Sequence, residues 1–322
     1  MHRRFIIAIF VFLVVAIAAL VLLIACSNDV EAAMLVNVFT AKDDTCPVLV
    51  EVTSQSSNII RIEFSEPVRV FENSFEPFAA RADGKFIYVS LNRSLPPGAM
   101  STVSGRVRDY SGNTTGFSIK VYGYNPLMPK VLINEFTTKG TEKSPDRTEL
   151  LVLEDGNING MSLYGGIPDD YDTIITFGDV DVKKDDLLVV WWTTALPVSV
   201  TEGFEGGVYH ICAGDGEGLA SNNGTLVLCG SPSIGAVVLD AVVYSNYTTS
   251  NEGYGTRQAR ERAQWVLDAG LWKGDAIEST SSTATRSMSR ILGLGDTNGS
   301  DDWYITVTGG STFGLANTSE AY

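Results

Sequence analysis

At 322 residues the chain is long enough for about two domains of roughly 100–200 residues each. Its 44% hydrophobic content, with 31 Gly but 11 Pro, supports a buried core and excludes collagen-like repeats and long-range disorder. With 38 acidic residues against 23 basic ones the net charge is −15, which argues against nucleic acid as a partner, because phosphate binding depends on Lys and Arg displacing counterions.

The chain starts with a basic cluster, His2-Arg3-Arg4, followed by an uncharged apolar stretch from Phe5 to Ala25. Those 21 residues are enough to span about 30 Å of hydrocarbon as a helix, and longer than the 7–15 residues usual for a secretory h-region. Directly behind them stands Leu23-Ile24-Ala25-Cys26. This phrase resembles the lipobox of bacterial lipoproteins, in which the cysteine is acylated and becomes the new N-terminus. The resemblance implies a signal peptide over residues 1–25, lipidation at Cys26, and a polar tether over residues 26–44. Two or more acyl chains suffice for stable membrane attachment. A retained transmembrane helix ending in cysteine is the alternative, and either way everything after Cys26 lies outside the cytoplasm. Without residues 1–25 the body holds 38 acidic and 21 basic residues, a charge of −17.

Between Cys46 and Tyr124, short alternating runs are separated by turn signals, which predicts strands over 48–52, 59–64, 86–91, 103–107 and 117–121. Pro96-Pro97-Gly98 and Asp109-Tyr110-Ser111-Gly112-Asn113 supply turns. The phrases Ile62-Glu63-Phe64-Ser65-Glu66-Pro67-Val68, Leu95-Pro96-Pro97-Gly98 and Gly105-Arg106-Val107-Arg108-Asp109-Tyr110-Ser111-Gly112-Asn113 occur in the order found in bacterial Ig-like domains of surface proteins. The resemblance implies an Ig-like β-sandwich over residues 45–124, acting as a spacer or adhesive module.

Pro126 and Pro129 break the pattern, so residues 125–130 read as a linker. Beyond them, strands are expected over 131–136, 149–153, 173–177, 187–192, 208–212, 225–229 and 236–244. One helix is expected within 256–272, where Ala259, Ala263, Val266, Leu267 and Ala269 fall at helical spacings and Gly270 and Gly274 close the segment. Eight phrases in this half resemble, in order, the lamin-tail domain of bacterial extracellular proteins. Among them are Ile133-Asn134-Glu135-Phe136, Thr148-Glu149-Leu150, Ser287-Met288-Ser289-Arg290, Asp302-Trp303 and Thr312-Phe313-Gly314-Leu315-Ala316-Asn317. In Ile158-Asn159-Gly160-Met161-Ser162-Leu163, Met161 stands where the family has tryptophan, a departure that concerns packing. The resemblance implies a second Ig-like β-sandwich over residues 131–322.

Candidate chemistry is sparse. Only His2 and His210 are present, which excludes histidine-rich zinc sites and HExxH metalloproteases. A nucleophile-histidine site would need His210, which lies in the alternating run Val208-Tyr209-His210-Ile211-Cys212 with no Gly-x-Ser-x-Gly elbow to accompany it; an ordinary hydrogen-bonded strand histidine is expected. Asp169-Asp170-Tyr171-Asp172, Asp179 with Asp181, and Asp185-Asp186 pair carboxylates as a glycosidase would, but such pairs between strands are also ordinary turn formers. Asp296, Asn298, Ser300 and Asp302 offer oxygens at alternate positions, a calcium-loop spacing without the later Glu of an EF-hand. Turn chemistry before Trp303 explains them equally. Cys212 and Cys229 each end a predicted strand and are read either as a disulfide, which an oxidising compartment permits, or as two buried thiols; Cys46 has no mate. Trp191-Trp192 places one indole on each side of a strand, one in the core and one covered by the helix or exposed. Lys183-Lys184 and Arg257, Arg260 and Arg262 are basic clusters too small for nucleic acid.

The expectation is therefore an all-β, non-catalytic lipoprotein of a bacterial envelope, outer membrane or cell surface rather than inner membrane, with two tandem Ig-like β-sandwiches and one short helix in the second. It would be attached to the membrane by its lipid and bind an unidentified protein or carbohydrate. A surface adhesin and an extracytoplasmic hydrolase of carbohydrates or phosphoesters using the clustered carboxylates are the alternatives.

Overall fold

The computed structural model describes residues 43–214, 218–291, 293 and 295–322. The signal segment 1–25, Cys26 and nearly all of the tether 26–44 lie outside the described residues. Over the described residues the architecture is all-β with several sheets and one short α-helix. Among the described residues no helix is long and apolar enough to cross a membrane.

The first half contains β1 (Leu49–Ser54), β2 (Ile59–Phe64), β3 (Arg69–Val70), β4 (Ala79–Asp83), β5 (Phe86–Ser90), β6 (Met100–Arg108) and β7 (Thr114–Tyr122). They form two antiparallel sheets, ordered β1-β2-β5-β4 and β3-β6-β7. Period-two alternation aims Ile60, Ile62, Phe64, Ile87 and Val89 from one sheet at Val103, Val107, Ile119 and Val121 from the other, in a single apolar cluster. Gly105 stands inside β6 where the Phe75 ring lies against it; a Cβ there would meet the ring at 2.6 Å.

The second half builds a separate apolar cluster. A seven-stranded sheet runs β15 (Gly203–Glu205), β16 (Val208–Cys212), β14 (Leu187–Trp191), β9 (Arg147–Val152), β8 (Val131–Thr137), β20 (Met288–Arg290), β21 (Trp303–Ile305). A five-stranded sheet runs β12 (Asp170–Thr176), β11 (Ser162–Ile167), β17 (Gly224–Cys229), β18 (Val238–Ser245), β19 (Ile277–Glu278), and β10 (Gly156–Asn157) pairs with β13 (Asp181–Val182). Pairing is antiparallel except for β14 with β16 and β18 with β19. Helix α1 (Arg257–Asp268) packs on β11, β17 and β18. Thr256 caps its start, the hydroxyl accepting from Ala259 N at 3.0 Å, and Gly270 at φ +69° ends it. With sheet on one face and helix on the other, every residue of β11 and β17 is buried. Met161 is fully buried.

Residues 125–130 form a docked turn rather than a loose connection. Asn125 Nδ2 donates to the carbonyls of Asn157 (2.7 Å) and Asn159 (3.0 Å), Asn157 N to Leu127 O (2.7 Å), and Leu153 N to Lys130 O (2.8 Å). Beside this turn, β1 reaches the second half directly through Val52 N to Ile234 O at 2.8 Å. Between them lies an apolar cavity of about 280 Å³ lined by Val52, Tyr122, Met128, Val237 and Leu239 among others.

Candidate functional site

A buried polar centre lies inside the second half, where β8, β9 and β20 meet the C-terminal segment 312–317. The β8–β9 register slips between Ile133 and Glu135, and both Glu135 and Glu149 are fully buried. Each carboxylate receives donors from the C-terminal segment. Glu135 accepts from Thr312 N (2.9 Å), Thr312 Oγ1 (2.8 Å) and the Ser287 hydroxyl. Glu149 accepts from Asn134 Nδ2 (2.7 Å) and Gly314 N (2.6 Å). Asn317 Nδ2 donates to Arg290 O at 2.8 Å, closing the strap. Burial pushes the Glu149 carboxyl up to about 7 against the opposing effect of those hydrogen bonds.

Arg290 is the cation of this centre. Its Nε donates to Ile133 O (2.8 Å), its Nη1 to Asp296 (2.9 Å) and Asp302 (3.4 Å), and its Nη2 to Asp240 (3.2 Å), while its plane lies 4.8 Å from the Trp303 ring. Asp240 is pushed up to about 6 by burial, with Arg290 pulling the other way. Asp302 stays below the ordinary carboxylate range: burial opposes its charge but is outweighed by hydrogen bonds from Thr297 and Gly299 and by Arg290.

That arrangement gathers the residues of the calcium-loop spacing, Asp296, Asn298, Ser300 and Asp302, into a turn beside Arg290. The two carboxylates turn toward Arg290, Thr297 donates to Asp302 through both N (2.8 Å) and Oγ1 (2.7 Å), and Asn298 N donates to Asp296 at 3.1 Å. The carboxylates a cation would need are already bound to an internal one. A Cys212–Cys229 bridge is likewise not made. Cys212 ends β16 in the seven-stranded sheet and Cys229 ends β17 in the five-stranded one; both are free thiols, as is the exposed Cys46. Cys212 Sγ donates to Thr193 O at 2.7 Å, and burial pushes the Cys229 thiol up to about 12.

The acidic pairs serve the frame. Asp170 and Asp172 hold Arg262 of α1, at 2.8 and 2.7 Å, which ties the helix to the edge strand β12. Asp179 and Asp181 both accept from Asn157 Nδ2 at 2.8 Å, and Asp186 accepts from Lys183 N at 2.7 Å. The basic clusters are paired too, Lys183 with Asp155, Arg257 with Glu261 and Arg260 with Glu252. His210 is the strand histidine expected: its Nδ1 accepts from Trp191 Nε1 at 3.2 Å, and burial lowers its pKa against the pull of Glu205. Both tryptophans are buried. Trp191 lies 5.0 Å from the guanidinium of Arg147, which is sandwiched against Phe313 at 4.0 Å, and Trp192 Nε1 donates to Thr148 Oγ1 at 2.9 Å.

One grouping had no local signal in the sequence. Asp43, Glu66 and Asp109, far apart in the chain, bring carboxylate oxygens within 4.8 Å of one another at one end of the first half. Burial and the two neighbouring charges raise the Glu66 pKa. Asp109 is lowered because hydrogen bonds from Asn113, Gly112 and Ser111 outweigh its burial. Among the described residues none of the three forms an ion pair.

No curated protein matches the chain. Among solved structures, a DUF4876 family protein from Bacteroides thetaiotaomicron matches at 12% identity and a TM-score of 0.37, covering 84% of this chain and 98% of that one. Residues 129–305, which hold β8 to β21 and α1, match the family model TP_1001_2nd, described as a protein second domain. With more than half of its length in that match, the chain belongs to this family.

Proposed function

We propose that the protein is a non-catalytic lipoprotein of a bacterial envelope, anchored through Cys26 after removal of residues 1–25, and that its two β-rich halves form a binding or structural module. The first half is read as an Ig-like sandwich: its strand order, β1-β2-β5-β4 facing β3-β6-β7, is that of constant-type immunoglobulin domains. The second is read as lamin-tail-like, and what supports this is that the phrases carrying the resemblance, through Asn134, Glu135, Glu149, Arg290, Asp302, Thr312 and Asn317, meet in one buried network.

The observation that carries the non-catalytic reading is where the carboxylates go. The acidic pairs that a hydrolase would aim into a cleft instead hold Arg262, Asn157 and the Lys183 turn. The apolar cavity between the halves is lined without an acid. Two measurements test the proposal. Metabolic labelling with a palmitate analogue should mark the full chain and be lost in Cys26→Ser; label retained in the variant overturns lipidation. Chromogenic glycosides and phosphoesters should remain unturned by the purified protein; turnover that disappears in Asp170→Asn, Asp179→Asn or Glu66→Gln would make it a hydrolase.

A further inference from the structure

The two outer faces of the first half differ in charge. On the β1-β2-β5-β4 sheet the basic residues are neutralised locally: Arg61 by Glu51 (2.7 Å), Lys85 by Glu63 (2.6 Å) and Arg81 by Asp83 (3.5 Å). On the β3-β6-β7 sheet, Arg69, Arg106, Arg108 and Lys120 are all exposed, and among the described residues none of them forms an ion pair. Residues 45–124 carry eight Lys and Arg against seven Asp and Glu, whereas residues 131–322 carry 11 against 27, so this face is a basic island on an acidic molecule.

The arginines are held in place. Arg69 lies 4.2 Å from the Tyr110 ring, and Arg106 and Arg108 lie 5.4 and 4.9 Å from the Phe71 ring. Arg69 and Arg108 are direct cross-strand partners, a like-charge pairing that disfavours the sheet unless an anion lies between them. Stacking on the rings fixes the guanidinium planes and leaves their N–H edges free for oxyanions. Two open depressions of about 430 and 410 Å³ flank Phe71, the first lined by Arg69, Arg108 and Tyr110, the second by Arg106, Ser104 and Gly116. Glu72 lines both and is the acid facing them, since the Asp109 carboxylate is turned into its own loop, accepting from Gly112 N and Asn113 N. Asp43, Glu66 and Asp109 close one end, and Lys120, on the same face of β7, extends the basic strip the other way.

We propose that this face docks an acidic polysaccharide, a chain bearing carboxylate or sulfate groups along its length. Its cations are spread along and across strands, about 7 Å apart between Arg106 and Arg108 from the rise of a strand, which suits an extended polymer with repeated charges. A dry protein interface needs an apolar centre, and here both rings already have guanidiniums against them. A nucleic-acid duplex, with its denser charge, is repelled more strongly by the acidic second half. The proposal rests on the binding-module reading above and supplies its ligand class; lipid labelling and glycan binding are separate measurements, so either can fail alone.

The test is binding of the full chain in detergent to polygalacturonate, with dextran sulfate and a DNA duplex as comparators, at about 50 and 200 mM salt. Binding to polygalacturonate should weaken with salt and fall about tenfold or more in the Arg106→Ser/Arg108→Ser double variant, while Arg61→Ser/Arg81→Ser on the opposite face leaves it unchanged. Circular dichroism identifies any variant that fails to fold, and Lys120→Ser, a single exposed change, then replaces it. No binding to either glycan at low salt, equal loss from both double variants, or tighter binding to DNA than to polygalacturonate overturns the proposal.

Discussion

Glu149→Gln isolates the energetics of the buried strap. The wild-type carboxyl ionises near 4.5 when the chain is unfolded and at about 7 in the folded protein. Because the folded pKa is the higher one, the native state holds its proton where the unfolded state has lost it. This contribution to stability is complete below pH 4.5 and is lost as pH rises to about 7. At 1.36 kcal/mol per pKa unit the difference is about 3 kcal/mol. Glutamine removes the charge and one of two acceptors, leaving Gly314 N without a partner or Asn134 Nδ2 with Asn317 Oδ1 alone, at a cost of about 1 kcal/mol. The variant should therefore be slightly less stable than wild type at pH 5 and more stable by about 2 kcal/mol at pH 8. All five tryptophans lie between 191 and 303, so urea unfolding followed by tryptophan fluorescence reports the second half alone. Asp240, pushed up to about 6, adds to the pH slope of both proteins and cancels in the comparison. A wild-type to variant difference that is the same at pH 5 and pH 8 refutes the reasoning.

Arg262→Met should cost about 1–3 kcal/mol by releasing α1 from Asp170 and Asp172, with faster amide exchange across α1 and β12; exchange unchanged in both would remove the clamp. Alkylation in urea without reductant should label Cys46, Cys212 and Cys229, and Cys229 should resist labelling in the native state; a 212–229 cross-linked peptide in the mass spectrum would contradict the two-sheet placement. Glu66→Gln should raise the thermal midpoint of the first half in chelator, by relieving repulsion from Asp43 and Asp109, and a lowered midpoint would show that the carboxylate has a stabilising partner.

Strands with clean alternation were legible residue by residue: Ile59–Phe64 and Val208–Cys212 are read from the chain with the bounds they have in the fold. Those missed lack the signal for physical reasons. Ala79–Asp83 has a small or charged residue at each position, and Ser162–Ile167 is buried on both faces, so no period appears. Strands such as Arg69–Val70 and Ile277–Glu278 are too short to have one. The helix was announced by its spacing and its glycine stop. The polar centre was present only as phrases, because Glu135 and Thr312 stand 177 residues apart and alternation says nothing about which segments will share donors. The choice between a bridge and two thiols is hidden in the same way: Cys212 and Cys229 each end a strand, but strand ends do not reveal the sheet to which the strand belongs.

The docked turn at residues 125–130 has a mechanical meaning. Asn125 is bonded to two carbonyls beyond it, and Val52, far back in the chain, is bonded to Ile234, so the halves are fastened at two separated points rather than one. Two fastenings resist torque where a single strand would swivel. A load applied to the far half is thus carried into the first half along a stiff arm.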